Sequence, residues 1–207
     1  MSPSANTSTG NATSILAKAG DVTVCCSEGS EGHVYSGRLP FRIDKLDAGS
    51  VPKTHTKIML IAGDPGQAFH LAAIPNEGVG LARMEFIITN QIGIHPMALA
   101  QFPNLKDLKA VNEIRSRIRD EDPGQFFIHR LSEGVGRIAA AFYPKPVIVR
   151  MSDFKTNEYA GLLGGAEFEP KEENPMIGFR GASRYYDPRY SPGFALECAS
   201  IDRVRVK

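Results

Sequence analysis

Arg150 and Asp153, three residues apart, follow directly on the apolar β-branched run Val147, Ile148, Val149. Set behind Pro146, such a run reads as a parallel strand buried on both faces. The charges fall where that strand would stop, and Lys155, Asn157 and Glu158 come at once after them. Ligands bind at the carboxyl ends of parallel strands, where polar groups are tolerated beside the core. Arg150 is therefore a candidate anion ligand, with Asp153 placed to orient it. A second stretch, GVGLARMEFII from Gly78 to Ile88, holds Arg83 and Glu85 inside an apolar run, where an unpaired guanidinium would be costly to bury. A third, NPMIGFRGASRYY from Asn174 to Tyr186, brings Arg180 out between Gly178 and Gly181. Taken singly, each arginine reads as well as half of a local ion pair, Arg83 with its neighbour Glu85. Three at strand ends point further, because the fixed fork of guanidinium donors suits phosphate and carboxylate oxygens. Converging on one mouth, they would make a pocket for a small, highly charged acid.

The elements that must carry these residues can be read in chain order. Residues 1–10 are small and polar and are expected to be disordered. Residues 11–20 allow a short helix ended by Gly20. Asp21–Cys26 and His33–Leu39 read as two strands around a Ser27–Gly32 turn, a hairpin too small to be stable alone. Residues 43–56 turn polar and are expected to be a linker. After it, strands and helices alternate. Lys57–Ala62 is the first strand of the alternation. Asp64-Pro65-Gly66-Gln67 then supplies an N-cap, a proline at the first helical position and an N3 glutamine. Gly78–Ile88 is the second strand. Apolar residues at three- and four-residue spacing run through Leu105, Leu108, Val111, Ile114 and Ile118. The cap signal returns as Asp122-Pro123-Gly124-Gln125, before a helix ended by Pro144. The third strand is Val147–Arg150, the fourth Met176–Phe179, and a helix over 192–206 closes the chain. Four βα units in 57–207 argue for a parallel α/β architecture. A complete (β/α)8 barrel takes about 250 residues, so the roughly 150 after the linker amount to half of one. An open four-stranded sheet would instead leave two apolar edges uncovered.

Composition sets the bounds. The chain has 207 residues, 42% hydrophobic and 23% charged, which is ordinary globular material. A net charge of +1 gives no reason to expect nucleic acid or an acidic membrane surface as partner. No apolar run approaches the roughly 20 residues of a membrane helix. Three cysteines, two of them adjacent at Cys25 and Cys26, together with a polar N-terminus that lacks the regions of a secretory leader, fit a reducing cytoplasm. His33, His55, His70, His95 and His129 are scattered without thiol or carboxylate partners at ligand spacing, so no metal site is expected and each reads as a surface or helix residue.

Several segments together resemble one family. GVGLARMEFI, HP-x-A-L, AAAFYPKPVIVRMSDFKTNEYA, EFEPKEENPMIGFRGASRYY and GFALEC look like the first half of the phosphoenolpyruvate-binding barrel of the PEP-utilising enzymes. SDFKTNEYA and EENPMIGFRGA are similar to the synthase (pyruvate, water dikinase) branch, not to the dikinase or sugar-phosphotransferase branches. GNAT with VTVCCSEGSEGHVYSG is similar to the end of the family's swivelling phosphohistidine domain. That resemblance assigns 11–42 to a remnant of the phosphohistidine domain and 57–207 to the first half of a TIM-type barrel. It implies phosphoryl transfer from ATP through a phosphohistidine to pyruvate, giving phosphoenolpyruvate (PEP), AMP and phosphate. It also implies that Arg83 and Arg150 grip the substrate anion, with Asp153 and Arg180 as neighbours of that pocket. The family's phosphorylated histidine, magnesium-binding Glu and Asp and proton-donor cysteine match nothing here, and Cys198 in GFALEC is not that cysteine. Mg2+ and ATP are thus implied for the family while their ligands are absent from this chain. The expected reading is a catalytically incomplete piece that needs the remainder of the enzyme. A non-catalytic anion-binding module, or a half-barrel completed by another chain or by a homo-oligomer, stands beside it.

Overall fold

A computed structural model describes residues 5–6, 14, 16–25, 32–43, 47, 52 and 54–205. The chain forms two units, Met1–Asp47 and Ala48–Lys207.

In the first unit, β1 (Ala5–Asn6), β2 (Val22–Cys25) and β3 (His33–Ser36) form an antiparallel sheet in the order β1-β3-β2. Val24 faces Val34, which is buried, and Gly37 ends β3 with φ +82. That angle suits glycine because no Cβ meets the carbonyl oxygen. Thr23 ties the exit, its Oγ1 donating to the Gly37 carbonyl at 2.8 Å and accepting from the Leu39 N–H at 2.9 Å. Ala5 and Asn6 pair with β3 although disorder is expected there; the rest of residues 1–10 lies outside the described residues. So do the Ser27–Gly32 turn apart from Gly32, much of the 11–20 helix and much of the linker.

The second unit carries a three-stranded parallel sheet, β4 (Leu60–Ala62), β5 (Val79–Arg83) and β6 (Val147–Arg150), in sequential order. Between β4 and β5, Asp64 caps a 3-10 turn at Pro65–Gln67 by accepting from the Gly66 N–H, and α1 (Ala68–Ala72) follows. At the end of β5 the chain turns straight into α2 (Met84–Ile87), a π-helical turn at Ile88–Ile92, and α3 (Pro96–Ala100). Two longer helices come next, α4 (Leu108–Ile118) capped by Asp107 and α5 (Pro123–Phe142) capped by Asp122, and both caps bond backbone N–H groups of the first turn. After β6 come α6 (Thr156–Ala160), a 3-10 turn at Gly165–Glu167, α7 (Ala182–Tyr185) and α8 (Ser191–Arg205). The core lies between the sheet and α5, which packs on α8, and is built from Phe127, Leu131, Val135 and Ile138 against Ala62, Val79 and Ala82.

Three expectations fail here. The predicted second strand, Gly78–Ile88, stops at Arg83, and residues 84–92 are helical, burying Met84, Ile87 and Ile88 at helical spacing. The predicted fourth strand, Met176–Phe179, is a series of turns and bends, so the described residues of the second unit supply three strands. The segment is fastened by a side chain instead of a neighbouring strand: Glu172 Oε1 accepts the Phe179 N–H at 2.8 Å while its Oε2 accepts from Thr156 Oγ1 at 2.8 Å. Ile177 at the turn is 84% exposed, so the short apolar run has no second face to bury. The strands are also not covered on both faces. Ala62 and Ala82, paired in register, are 1% and 2% exposed on the helix side. Ile61 on β4 and Ile148 on β6 are 67% and 56% exposed on the other.

Candidate functional site

Arg83 and Arg150 are register partners at the last positions of β5 and β6. Residues opposite one another on adjacent strands project to the same face, and here it is the uncovered one, two residues beyond Leu81 and Ile148. Strand pairing therefore starts two arginine side chains from neighbouring positions at one rim. The Arg83 guanidinium lies 4.6 Å over the centre of the Phe86 ring and, among the described residues, makes no ion pair. Arg180 reaches the same rim from the loop after the 3-10 turn. It donates to both carboxylate oxygens of Asp153, Nε to Oδ1 at 3.0 Å and Nη2 to Oδ2 at 2.9 Å. That hydrogen bonding holds the Arg180 pKa above its ordinary value. Of the four sequence-predicted residues, Arg150, Asp153 and Arg180 are thus linked side chain to side chain, and Arg83 ends the neighbouring strand in register with Arg150.

Their pairing differs from the simplest expectation. Glu85 pairs with Arg150 across the strands, not with Arg83 beside it in the chain. Asp153 is committed to Arg180, and Arg150 Nη1 stands 3.7 Å from Asp153 Oδ2, beyond hydrogen-bond range. The carboxylate that hydrogen-bonds Arg150 is therefore Glu85.

Behind the rim lies a buried polar layer. Glu197 accepts from the Ser152 N–H at 3.1 Å, from Ser152 Oγ at 2.6 Å and from the Tyr190 hydroxyl at 2.6 Å. Tyr185 donates to the Ser152 carbonyl at 3.0 Å, so the residue just before Asp153 is held on both sides. Burial pushes the Glu197 carboxyl above the usual range, and burial followed by the Glu197 charge pushes Tyr185 up to about 12. A second buried set joins His95, Glu169 and Arg184. His95 Nε2 lies 3.0 Å from Glu169 Oε1, and Arg184 forks onto Glu169 at 2.6 and 2.5 Å. Reading histidines as surface or helix residues is wrong for His95, which is wholly buried as the cap of α3, its Nδ1 accepting the Met97 N–H. Its pKa is lowered by burial. A sequence signal for Glu197 did exist: it falls on the apolar stripe of α8, between Phe194 and Ile201, where a carboxylate has to find partners.

The rim does not suit a metal. Among the described residues no group of three or more His, Cys, Asp or Glu side chains could hold an ion. Its two carboxylates, Glu85 and Asp153, are engaged by guanidiniums. What the arrangement can do is bind an oxyanion through several N–H forks at once.

The family described as "PEP-utilising enzyme, PEP-binding domain" matches residues 42–206. The chain belongs to this family. Among curated relatives, it is 55% identical to the phosphoenolpyruvate synthase of Synechocystis sp. over 198 residues, 95% of this chain and 24% of that one. It is 54% identical to that of Deinococcus radiodurans and 49% identical to that of Escherichia coli, in each case over 95% of this chain and 25% of the relative. The chain therefore spans about a quarter of the length of these PEP-utilising relatives. Among the described residues no helix is long and apolar enough to cross a membrane.

Proposed function

We propose that this chain is part of a phosphoenolpyruvate synthase and supplies the rim that binds the PEP or pyruvate anion. The observation that carries this reading is the register pairing of Arg83 with Arg150 at two strand ends, with Arg180 linked to the same rim through Asp153. In that role Arg83 and Arg150 grip the phosphate and carboxylate oxygens. They offset the negative charge that spreads over the phosphoryl oxygens as the group passes between a phosphohistidine and the enolate oxygen of pyruvate. Asp153 and Arg180 brace the pair. The family's Mg2+ and ATP act from groups outside this chain, whose own contribution is to bind and orient the anion. On this reading Ala48–Lys207 is the first part of a (β/α)8 barrel, and further strands of the enzyme close over the face that carries Ile61, Ile148 and the arginines.

Titration of PEP into the chain, followed by calorimetry, tests it. Binding at millimolar or lower Kd is expected, weakened about ten- to a hundredfold in Arg150→Ala and in Arg83→Ala, as the loss of charge-assisted hydrogen bonds requires. Given ATP and pyruvate, the chain alone forms no PEP. Absence of binding heat overturns the anion site, and enzyme-like turnover overturns the incompleteness.

A further inference from the structure

Glu85 is an odd neighbour for an anion. It places a carboxylate, 7% exposed, beside the guanidiniums that are to attract negative charge. Its Oε1 receives two donors, Arg150 Nη2 and the Asp153 N–H at 3.1 Å. Its other oxygen, Oε2, is buried without a hydrogen-bond partner, and so is Arg150 Nε. These two atoms belong together. Nε and Nη2 form one edge of a guanidinium, and the two oxygens of a carboxylate form the edge that matches it. The pair makes one prong of this fork and leaves the other open, so Glu85 claims the inner edge of Arg150 and turns its Nη1 end outward. Arg83 is the register partner of Arg150 on the neighbouring strand.

We propose that Glu85 is a positioning residue, which holds Arg150 edge-on so that its Nη1 end faces the bound anion. The proposal rests on the anion-site reading above. Without Glu85, Arg150 has a competing acceptor at hand, since Asp153 lies 3.7 Å from Nη1, and collapse onto it would withdraw the guanidinium from the ligand. The alternative is a Glu85 that only balances charge within the fold. The two differ in sign. Neutralising a bystander carboxylate next to an anion site removes repulsion and tightens binding, whereas neutralising a positioner weakens it.

The test is a thermodynamic cycle on the 207-residue chain, with PEP titrated into the wild-type protein, Glu85→Gln, Arg150→Ala and the double variant at fixed ionic strength. Glu85→Gln is expected to weaken binding about tenfold, in the range seen when groups that orient a ligand-binding side chain are removed, and to have no weakening effect once Arg150 is alanine. Tighter binding by Glu85→Gln, or the same weakening in both backgrounds, overturns the proposal. Arg150→Lys keeps the charge but has no edge to be held, so it too should bind about tenfold more weakly, and wild-type affinity in that variant refutes the role should Glu85→Gln not fold. A ligand-free readout separates this proposal from the reading beneath it. The Arg150 Nη2–H resonance, the one bonded to Glu85, should exchange slowly with solvent in the wild-type chain and rapidly in Glu85→Gln. If the resonance differs but no PEP binds, the anion site is wrong and the positioning of Arg150 stands. If the resonance does not differ, the positioning is wrong.

Discussion

At the scale of single residues, this fold places charge where hydrophobic patterning would put none, and it does so by pairing it. The triple His95, Glu169 and Arg184 joins segments up to 89 residues apart in sequence behind the rim. Because His95 Nδ1 accepts from the Met97 N–H, the ring proton sits on Nε2 and is donated to Glu169. Burial, the larger influence, lowers the His95 pKa from 6.5 despite the adjacent carboxylate, while Arg184 disfavours a second positive charge. The native state therefore resists the proton that the unfolded chain accepts at its ordinary pKa. Stability is fully present above about pH 6.5 and is lost as the pH falls from there toward the lowered native pKa, at up to about 1.4 kcal/mol per pH unit. Urea unfolding between pH 7.5 and 5.5 should show this slope in the wild-type chain. His95→Asn should lack it while keeping a side chain able to cap α3. Glu169, whose pKa is lowered although burial opposes it, stays ionised throughout because of Arg184 and contributes nothing to the difference. Equal slopes in the two proteins would mean that His95 binds its proton equally well in the folded and unfolded states. The sequence flags the cost of burying Arg83 and Glu85 but not this triple, since its members sit in separate segments that only the fold brings together.

At the scale of elements, what was legible is what local chemistry decides. Asp64-Pro65 and Asp122-Pro123 announce helix starts through a side-chain acceptor and a preset φ, and both caps form as read. The strand ending in Arg150 was legible because a β-branched run met charge abruptly, whereas the pattern at Gly78–Ile88 overruns the strand's end at Arg83 by five residues, since apolar residues continue past it into a helix. The supposed strand at Met176–Phe179 shows the limit of such patterning, because a four-residue apolar run does not specify a neighbour to pair with. Glu172 holds this loop instead, and Gly178 leaves it room: a Cβ there would stand 1.9 Å from Glu172 Oε2. Because the loop delivers Arg180 to Asp153, its fastening is part of the site. Glu172→Ala should remove both the Phe179 N–H and the Thr156 hydroxyl bonds and cost about 1–3 kcal/mol. The local consequence is faster hydrogen exchange at the Phe179 amide, with the amides of α5 unaffected. An unchanged Phe179 exchange rate would show that the loop is held by something other than this carboxylate.

At the scale of the whole molecule, the sheet of Ala48–Lys207 is finished on one side only. Helices cover the face of Ala62 and Ala82, while the opposite face shows Ile61 and Ile148 to solvent directly below the arginine rim. Sequence patterning expected both faces buried, and that expectation fits a strand inside a complete barrel better than it fits this chain alone. Each apolar side chain fully removed from water contributes about 1.5–3 kcal/mol, so side chains left mostly exposed contribute little to this fold. The proposed barrel would complete this face with further strands. The double variant Ile61→Thr with Ile148→Thr separates a face that is open in the isolated chain from one that the chain covers by itself. In an open face, threonine keeps the β-branched backbone preference while removing apolar surface, so the urea-unfolding free energy should move by no more than about 0.5 kcal/mol per site. Binding of a fluorescent apolar dye, and any concentration-dependent association seen by light scattering, should fall at the same time. A loss of several kcal/mol with dye binding unchanged would mean that both isoleucines are already packed in the isolated chain. The rim would then lie over a closed core, and the barrel reading would have no face left for further strands to cover.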